Sequence, residues 1–249
     1  MAEQGSRVPV WAREDNRRRT TLSREAIVAA AIAIADAEGI DAVSIRRVAA
    51  DLQARAMSLY TYIERKEDLL DLMADEVATE TVVADLPSGW REATLALARQ
   101  ERQTARRHPW LVDLVTRRSM VGRVGPNMLR HSDQSVAALA GLDADPAWKW
   151  RLLTAVADYG TGFAVREARE REATRSGQGE ALEPYLRRLI EGGDYPHLAP
   201  VMGAAPAGDD NFERGLSWLL DGFARELDED PSPGAWAGPH RAPRPARPA

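Results

Sequence analysis

The sequence predicts an all-α protein: an N-terminal three-helix helix-turn-helix unit followed by a larger helical-bundle body. Three observations carry this. Apolar residues recur at spacings of three and four along most of the chain. Residues that start and stop helices bracket those stretches. No run alternates apolar and polar residues over a useful strand length, and no internal repeat is found.

The elements follow in order. From Ser23, Ile27, Ala31 and Ile34 form one apolar stripe, and Gly39 ends that helix as its C′ residue. Ser44 is the N-cap of the next helix, in which Ile45, Val48, Ala49 and Leu52 share a face. Gln53 to Ala56 form a turn. Met57 to Ile63 then form a short helix with Leu59 and Ile63 inward and Ser58, Thr61 and Tyr62 off that face. Lys66 begins a fourth helix with Leu69, Leu70, Met73 and Val77 inward. After Pro87-Ser88-Gly89 a helix runs from Trp90 to Arg107 and stops at His108-Pro109. A short helix at about 110–118 precedes a break at Gly122, Gly125 and Pro126, and another helix runs from about Asn127 to Ala140. Asp145 as N-cap and Pro146 at the first helical position open a long helix reaching about Thr174. Ser176 to Glu180 reads as a loop, followed by a helix near 181–191 and a last helix from Asp210 to Leu227.

Composition narrows the class. Hydrophobic residues are 44% of 249, enough for a packed core. No stretch approaches eighteen consecutive apolar residues, so no membrane partner is expected. The N-terminus is polar and lacks the apolar region of a secretory signal. Cysteine is absent, which excludes disulfides, thiolate ligands and Cys nucleophiles and fits a cytoplasmic protein. The net charge of −5 is unevenly spread. Residues 1–66 hold 11 Lys and Arg against 9 Asp and Glu, while the remainder holds 22 against 29. A mildly basic head on an acidic body is the distribution expected of a nucleic-acid-binding head. The expected organisation is a flexible basic arm (1–20), a helix-turn-helix domain (21–72), a body (73–229) and a disordered Pro/Arg-rich tail (230–249). The arm, with Arg13, Arg17, Arg18 and Arg19, admits two readings: a solvated tail, or a strap along DNA phosphates or into the minor groove.

Catalysis finds little support. His108, His131, His197 and His240 are scattered with no metal-binding pair, so no metal and no cofactor are predicted. There is no G-x-S-x-G and no phosphate-binding glycine loop. The mixed Glu/Arg run from Arg166 to Arg171 reads as a solvated helix face. No enzymatic activity is expected.

A helix-turn-helix needs a second helix that buries one face and offers short polar or aromatic side chains to the major groove. Ile45–Leu52 and Met57–Ile63 meet that requirement. The stretch from Glu38 to Leu52, then Met57-Ser-Leu-Tyr-Thr-Tyr-Ile63 and Lys66-Glu-Asp-Leu-Leu70, closely resembles the DNA-binding domain of the TetR family. The hallmark is Leu59-Tyr60 followed six residues later by Lys66, within a match over about residues 23–72. The body, with His108-Pro109-Trp110 and Gly125-Pro126-Asn127, resembles the C-terminal domain of the TetR-like subgroup.

The resemblance implies a double-stranded DNA operator as partner. It implies that Ser44 holds a phosphate and Arg46 reaches a base edge or phosphate. Met57, Ser58, Thr61 and Tyr62 would lie along the recognition helix, and Tyr60 and Lys66 would meet the backbone. Each has a plainer reading, as packing for Tyr60 and as solvated charge for Arg46, Arg47 and Lys66. Gln53 stands where the family usually has Gly, and a positive φ there costs about 1 kcal/mol or more. Arg55 and Met57 are also unusual, so no operator can be borrowed from a relative.

In the long helix, Trp148, Trp150, Leu153, Val156, Tyr159 and Phe163 are interleaved with Gly160 and Gly162, which suggest close approach or space for a ligand. The resemblance implies that this helix and the last one (Phe212, Leu216, Leu219, Leu220, Phe223) form a homodimer interface. It also implies a pocket for an unknown small molecule. Candidate lining residues are Trp110, Leu114, Met128, His131, Asp158, Tyr159 and Phe163, each with ordinary core packing as the alternative. The expected function is a DNA-binding repressor released from a near-palindromic operator by a ligand. A helical protein-interaction module without DNA binding, and a ligand-independent regulator or activator, are the alternatives.

Overall fold

A computed structural model describes residues 22–117, 123–202 and 208–229. The arm expected over 1–20, the tail from 230 and Gly122 lie outside them. Among the described residues there are helices and no strands. In chain order they are α1 (Arg24–Glu38), α2 (Ile45–Asp51), α3 (Ala56–Leu59), α4 (Lys66–Val77), α5 (Trp90–Arg107), α6 (Trp110–Arg117), α7 (Pro126–Ala137), α8 (Pro146–Arg175), α9 (Gln178–Glu191), α10 (Ala199–Met202) and α11 (Gly208–Glu229). A 3₁₀ turn, Ala78–Thr81, continues α4 toward α5.

Capping explains several boundaries. Ser23 accepts from Ala26 N–H and starts α1, Ser44 accepts from Arg47 N–H and starts α2, and Asp145 accepts from Trp148 N–H and starts α8. Other boundaries differ from the sequence expectation. Helix α3 closes at Leu59 rather than Ile63, because the chain tightens into a turn that keeps both Leu59 and Ile63 fully buried while heading into α4. Helix α7 ends at Ala137, three residues early. The loop expected over 176–180 shortens to Ser176 and Gly177, since left-handed Gly177 (φ 68°) ends α8 and α9 follows at Gln178. Helix α10 was not expected.

Two cores organise the molecule. The first is built on Ile27, Ile34, Val48, Leu59, Ile63, Leu69 and Met73 of the head, and it also takes in Trp110 and Leu114 from α6. The second joins α5, α8 and α11 through Ala98, Trp148, Leu152, Phe163, Phe212 and Leu216. Helix α8, 30 residues long and thus about 45 Å, touches α5, α6, α7, α9 and α11. Burying each large apolar side chain stabilises by about 1.5–3 kcal/mol, so these cores, and not helix propensity, fix the arrangement.

The head is tied to the body by polar bonds as well. The Asp36 carboxylate of α1 receives the Trp110 indole and lies 2.7 Å from His108 Nδ1. Asp75 of α4, 5% exposed, accepts from the backbone N–H of Asn127 and Met128 and from the Asn127 side chain. It thereby supplies from another helix the N-terminal cap that Gly125 does not provide to α7. Asp41 pairs with Arg117 at 2.9 Å, and Asp71 with Arg123 at 2.8 Å.

Candidate functional site

The turn between α2 and α3 is a Schellman motif. Ala54 N–H donates to Ala49 C=O at 2.8 Å, and Gln53 N–H donates to Ala50 C=O at 3.1 Å. Such a motif needs a left-handed residue at its centre. Here it is Gln53, at φ 52°, the one non-glycine residue of positive φ among the described residues. The turn that orients α3 is therefore formed without glycine, at some cost in backbone strain.

On α3 and the turn that follows, Leu59 and Ile63 are fully buried, while Met57 is 75% and Tyr60 46% exposed. Ser58 and Thr61 are exposed beside them. Tyr62 turns the other way, half-buried against the head core, because three residues after Leu59 it shares the inward face. The Ser44 hydroxyl accepts from Arg47 N–H, which leaves its hydrogen available to donate outward. Arg46 is exposed, whereas Arg47 is drawn back to Glu38 at 2.8 Å and Asp51 at 3.6 Å. Of the two adjacent arginines, Arg46 has the reach. Lys66 is half-buried at the start of α4. Ser44, Arg46, Met57, Ser58, Tyr60, Thr61 and Lys66 thus all sit on the helix-turn-helix and the start of the helix after it.

In the body, a cavity of about 230 Å³ lies between α5, α7 and α8. Thr94, Leu97, Ala98 and Glu101 of α5 line it at spacings of three and four, opposite Trp150, Leu153, Thr154 and Ala157 of α8. His131 and Val136 close it from α7. Of the seven lining residues expected from sequence, His131 is placed here. Trp110 and Leu114 belong to the head core, and Met128 sits half-buried with its N–H on Asp75. Asp158 is exposed. Tyr159 and Phe163 pack on Phe212, with ring centroids 5.7 and 5.0 Å away. The Tyr159 hydroxyl donates to Phe212 C=O at 3.0 Å, and burial raises its pKa above the ordinary value. Glu101 and Leu97 escaped the sequence reading, which names Trp150 on the long helix but not in the lining. The signal was present as the face Thr94-Leu97-Ala98-Glu101, apolar in its middle and closed by a carboxylate.

Next to Phe163, Arg102 stacks on two aromatic rings and bonds Glu167 at 2.6 Å, with Arg106 adding a bond at 2.8 Å. Burial pushes the Glu167 carboxyl up, but the hydrogen bonds and charges of Arg102 and Arg106 outweigh it and hold the group down at about 2. This clamp ties α5 to α8. Among the described residues no group of three or more His, Asp or Glu is placed to hold a metal ion, and no helix is long and apolar enough to cross a membrane.

A helix-turn-helix head with an outward-facing second helix, carried on a helical body with a cleft between its helices, defines a DNA-binding transcriptional regulator. Comparison with known proteins agrees. Residues 83–227 match the family described as "Tetracyclin repressor-like, C-terminal domain". An HTH-type transcriptional regulator of Saccharopolyspora erythraea is 35% identical over 229 residues, covering 89% of this chain and 93% of that protein. The HTH-type transcriptional repressor DrrR1 of Streptomyces coeruleorubidus is 34% identical, covering 82% and 77%. The crystal structure of the Streptomyces coelicolor TetR family protein ActR in complex with actinorhodin is similar with a TM-score of 0.71 and 27% identity, covering 83% of this chain and 98% of that one. The chain belongs to the TetR family of transcriptional regulators.

Proposed function

We propose that this regulator is a repressor that binds a near-palindromic operator as a homodimer and is released when a small molecule enters the cavity between α5, α7 and α8. In this reading residues 21–72 form the DNA-binding domain and 73–229 the ligand-binding and dimerisation domain. It acts in the cytoplasm and catalyses nothing. The observation that carries it is the two-sidedness of α3 and its following turn, with Leu59 and Ile63 fully buried and Met57 and Tyr60 exposed on the same short segment. Ser58 and Thr61 would read base edges, with Met57 offering an apolar contact. Tyr60, Lys66 and the Ser44 hydroxyl would hold phosphates, and Arg46 a phosphate or base edge. Tyr62 would act indirectly, by holding the segment to the head core. The ActR–actinorhodin complex supports a small-molecule effector, and the name of DrrR1 supports repression.

A dimer reads two half-sites when its recognition helices sit about 34–36 Å apart. A ligand that prefers a dimer with another spacing lowers operator affinity by its differential affinity for the two forms. The test is fluorescence anisotropy with labelled duplexes from DNA flanking the gene, at two salt concentrations. Wild type is compared with a Tyr60→Ala/Lys66→Ala double variant of verified fold. Selective binding that weakens steeply with salt and is lost in the variant supports the reading, because phosphate contacts release counterions. Binding unchanged in the variant refutes this DNA-reading face.

A further inference from the structure

The cavity between α5, α7 and α8 is apolar along most of its length, with Leu97, Val136, Trp150, Leu153 and Val156 in its walls. Its titratable side chains are Glu101 and His131, and they touch: His131 Nε2 lies 2.7 Å from Glu101 Oε1. A second, smaller cavity of about 100 Å³ starts on the other side of Glu101, bounded by Leu111, Val115, Gly160 and Ala164. Gly160 stands there without a side chain, and a Cβ on it would lie 3.8 Å from the other Glu101 oxygen, Oε2. One carboxylate therefore faces both cavities, at the point where they meet.

The chemistry of this point is one-sided. An ionised carboxylate only accepts hydrogen bonds. The neighbouring groups are partly engaged: His131 Nε2 meets Glu101 while its buried Nδ1 has no hydrogen-bond partner, and Arg102 is bonded to Glu167 and stacked on Phe163 and Phe212. Glu101 is the one carboxylate among the residues lining the two cavities. A second negative charge brought beside Glu101 is repelled by it.

We propose that the effector is an elongated, mostly aromatic or aliphatic molecule bearing a protonated amine that pairs with Glu101 where the two cavities join, and that carboxylate-bearing molecules of the same shape are rejected. This rests on the reading of the cavity as the effector site. A hydroxyl in the amine's place makes the hydrogen bond without the charge and binds with intermediate strength.

The test is calorimetric titration of the full chain near neutral pH with three probes that share a ring: 2-(1-naphthyl)ethylamine, 2-(1-naphthyl)ethanol and 1-naphthylacetate. The amine is expected to bind about tenfold or more tighter than the acid, with the alcohol between. Glu101→Gln, nearly isosteric, should bring all three within about threefold of one another. Trp150→Ala, at a wall position that is 69% exposed, should weaken all three together. An acid that binds as tightly as the amine overturns the proposal, as does an amine that fails to bind at millimolar concentration. The wild-type ranking alone decides this if Glu101→Gln fails to fold. The same probes added to the operator complex keep the two ideas apart. Amine binding that leaves the complex intact counts against ligand release and not against the amine preference. Release by the acid and not the amine does the reverse.

Discussion

The indole N–H of Trp110 donates to Oδ1 of Asp36 at 2.7 Å, so a residue opening α6 of the body is bonded to the last turn of α1 in the head. The same oxygen lies 2.7 Å from His108 Nδ1, whose Nε2 is 3.3 Å from Glu80. Removing the acceptor leaves the buried Trp110 and His108 rings without this partner, and an unsatisfied buried polar group costs about 1–3 kcal/mol. Asp36→Ala should therefore lower stability by about 2–3 kcal/mol in urea unfolding, and Trp110→Phe, which keeps most of the ring packing, by about 1 kcal/mol. Equal losses would mean that packing, not the bond, sets the joint.

Asp75 caps α7 from α4, and Gly125 makes room for it: a Cβ at position 125 would overlap the Asp75 carboxylate. Gly125→Ala should cost about 1–3 kcal/mol through overpacking. Asp75→Ala should cost a similar amount by leaving the first N–H groups of α7 without an acceptor. The double variant should cost much less than the sum, because both changes break one contact. Additive losses in thermal unfolding would show the two sites to be independent.

Gln53 occupies the left-handed centre of the Schellman turn. Gln53→Gly should raise stability by about 0.5–1 kcal/mol by relieving the strain, and Gln53→Val should lower it, since β-branching disfavours positive φ. Chemical denaturation of the three proteins checks the order glycine, glutamine, valine.

Glu167 is held at about 2 by Arg102 and Arg106, below its ordinary 4.5. A carboxyl whose pKa falls on folding contributes stability that is present above the unfolded value and is lost as pH drops through the folded one. Wild type should therefore lose stability between pH 4.5 and 2 more steeply than Glu167→Gln, while the variant is the less stable of the two at neutral pH. Parallel acid unfolding profiles would show that the clamp contributes nothing to folding.

Much of this architecture was legible in the sequence because its signals are local. Trp90 to Arg107 reads as one helix with His108-Pro109 as its stop, and Asp145-Pro146 opens α8 by capping alone. The helix-turn-helix could be placed because Leu59 and Ile63 must be buried while Met57 and Tyr60 need not be. The cavity lining was far less legible. Tyr159 and Phe163 lie on the same long helix as Trp150, and periodicity cannot say that Phe212 of α11 takes up the first two. Glu101 sits in a helix rich in Arg and Glu, where a carboxylate reads as solvated until α7 brings His131 against it. Asp75 as a distant cap was likewise unreadable, since its partners lie 52 and 53 residues away.

The place of Trp110 and Leu114 within the core of the head bears on how such regulators can be recombined. A graft that cuts the chain at residue 72 and joins its operator-reading part to a foreign sensor would carry away a core lacking an indole and an isobutyl group. Transplants that bring α6 along, or that choose a host with matching side chains at the seam, should keep their grip on DNA where simple cut-and-paste versions unravel. The seam along which this protein can be divided for building new biosensors thus runs through side chains of α6 and not through a linker.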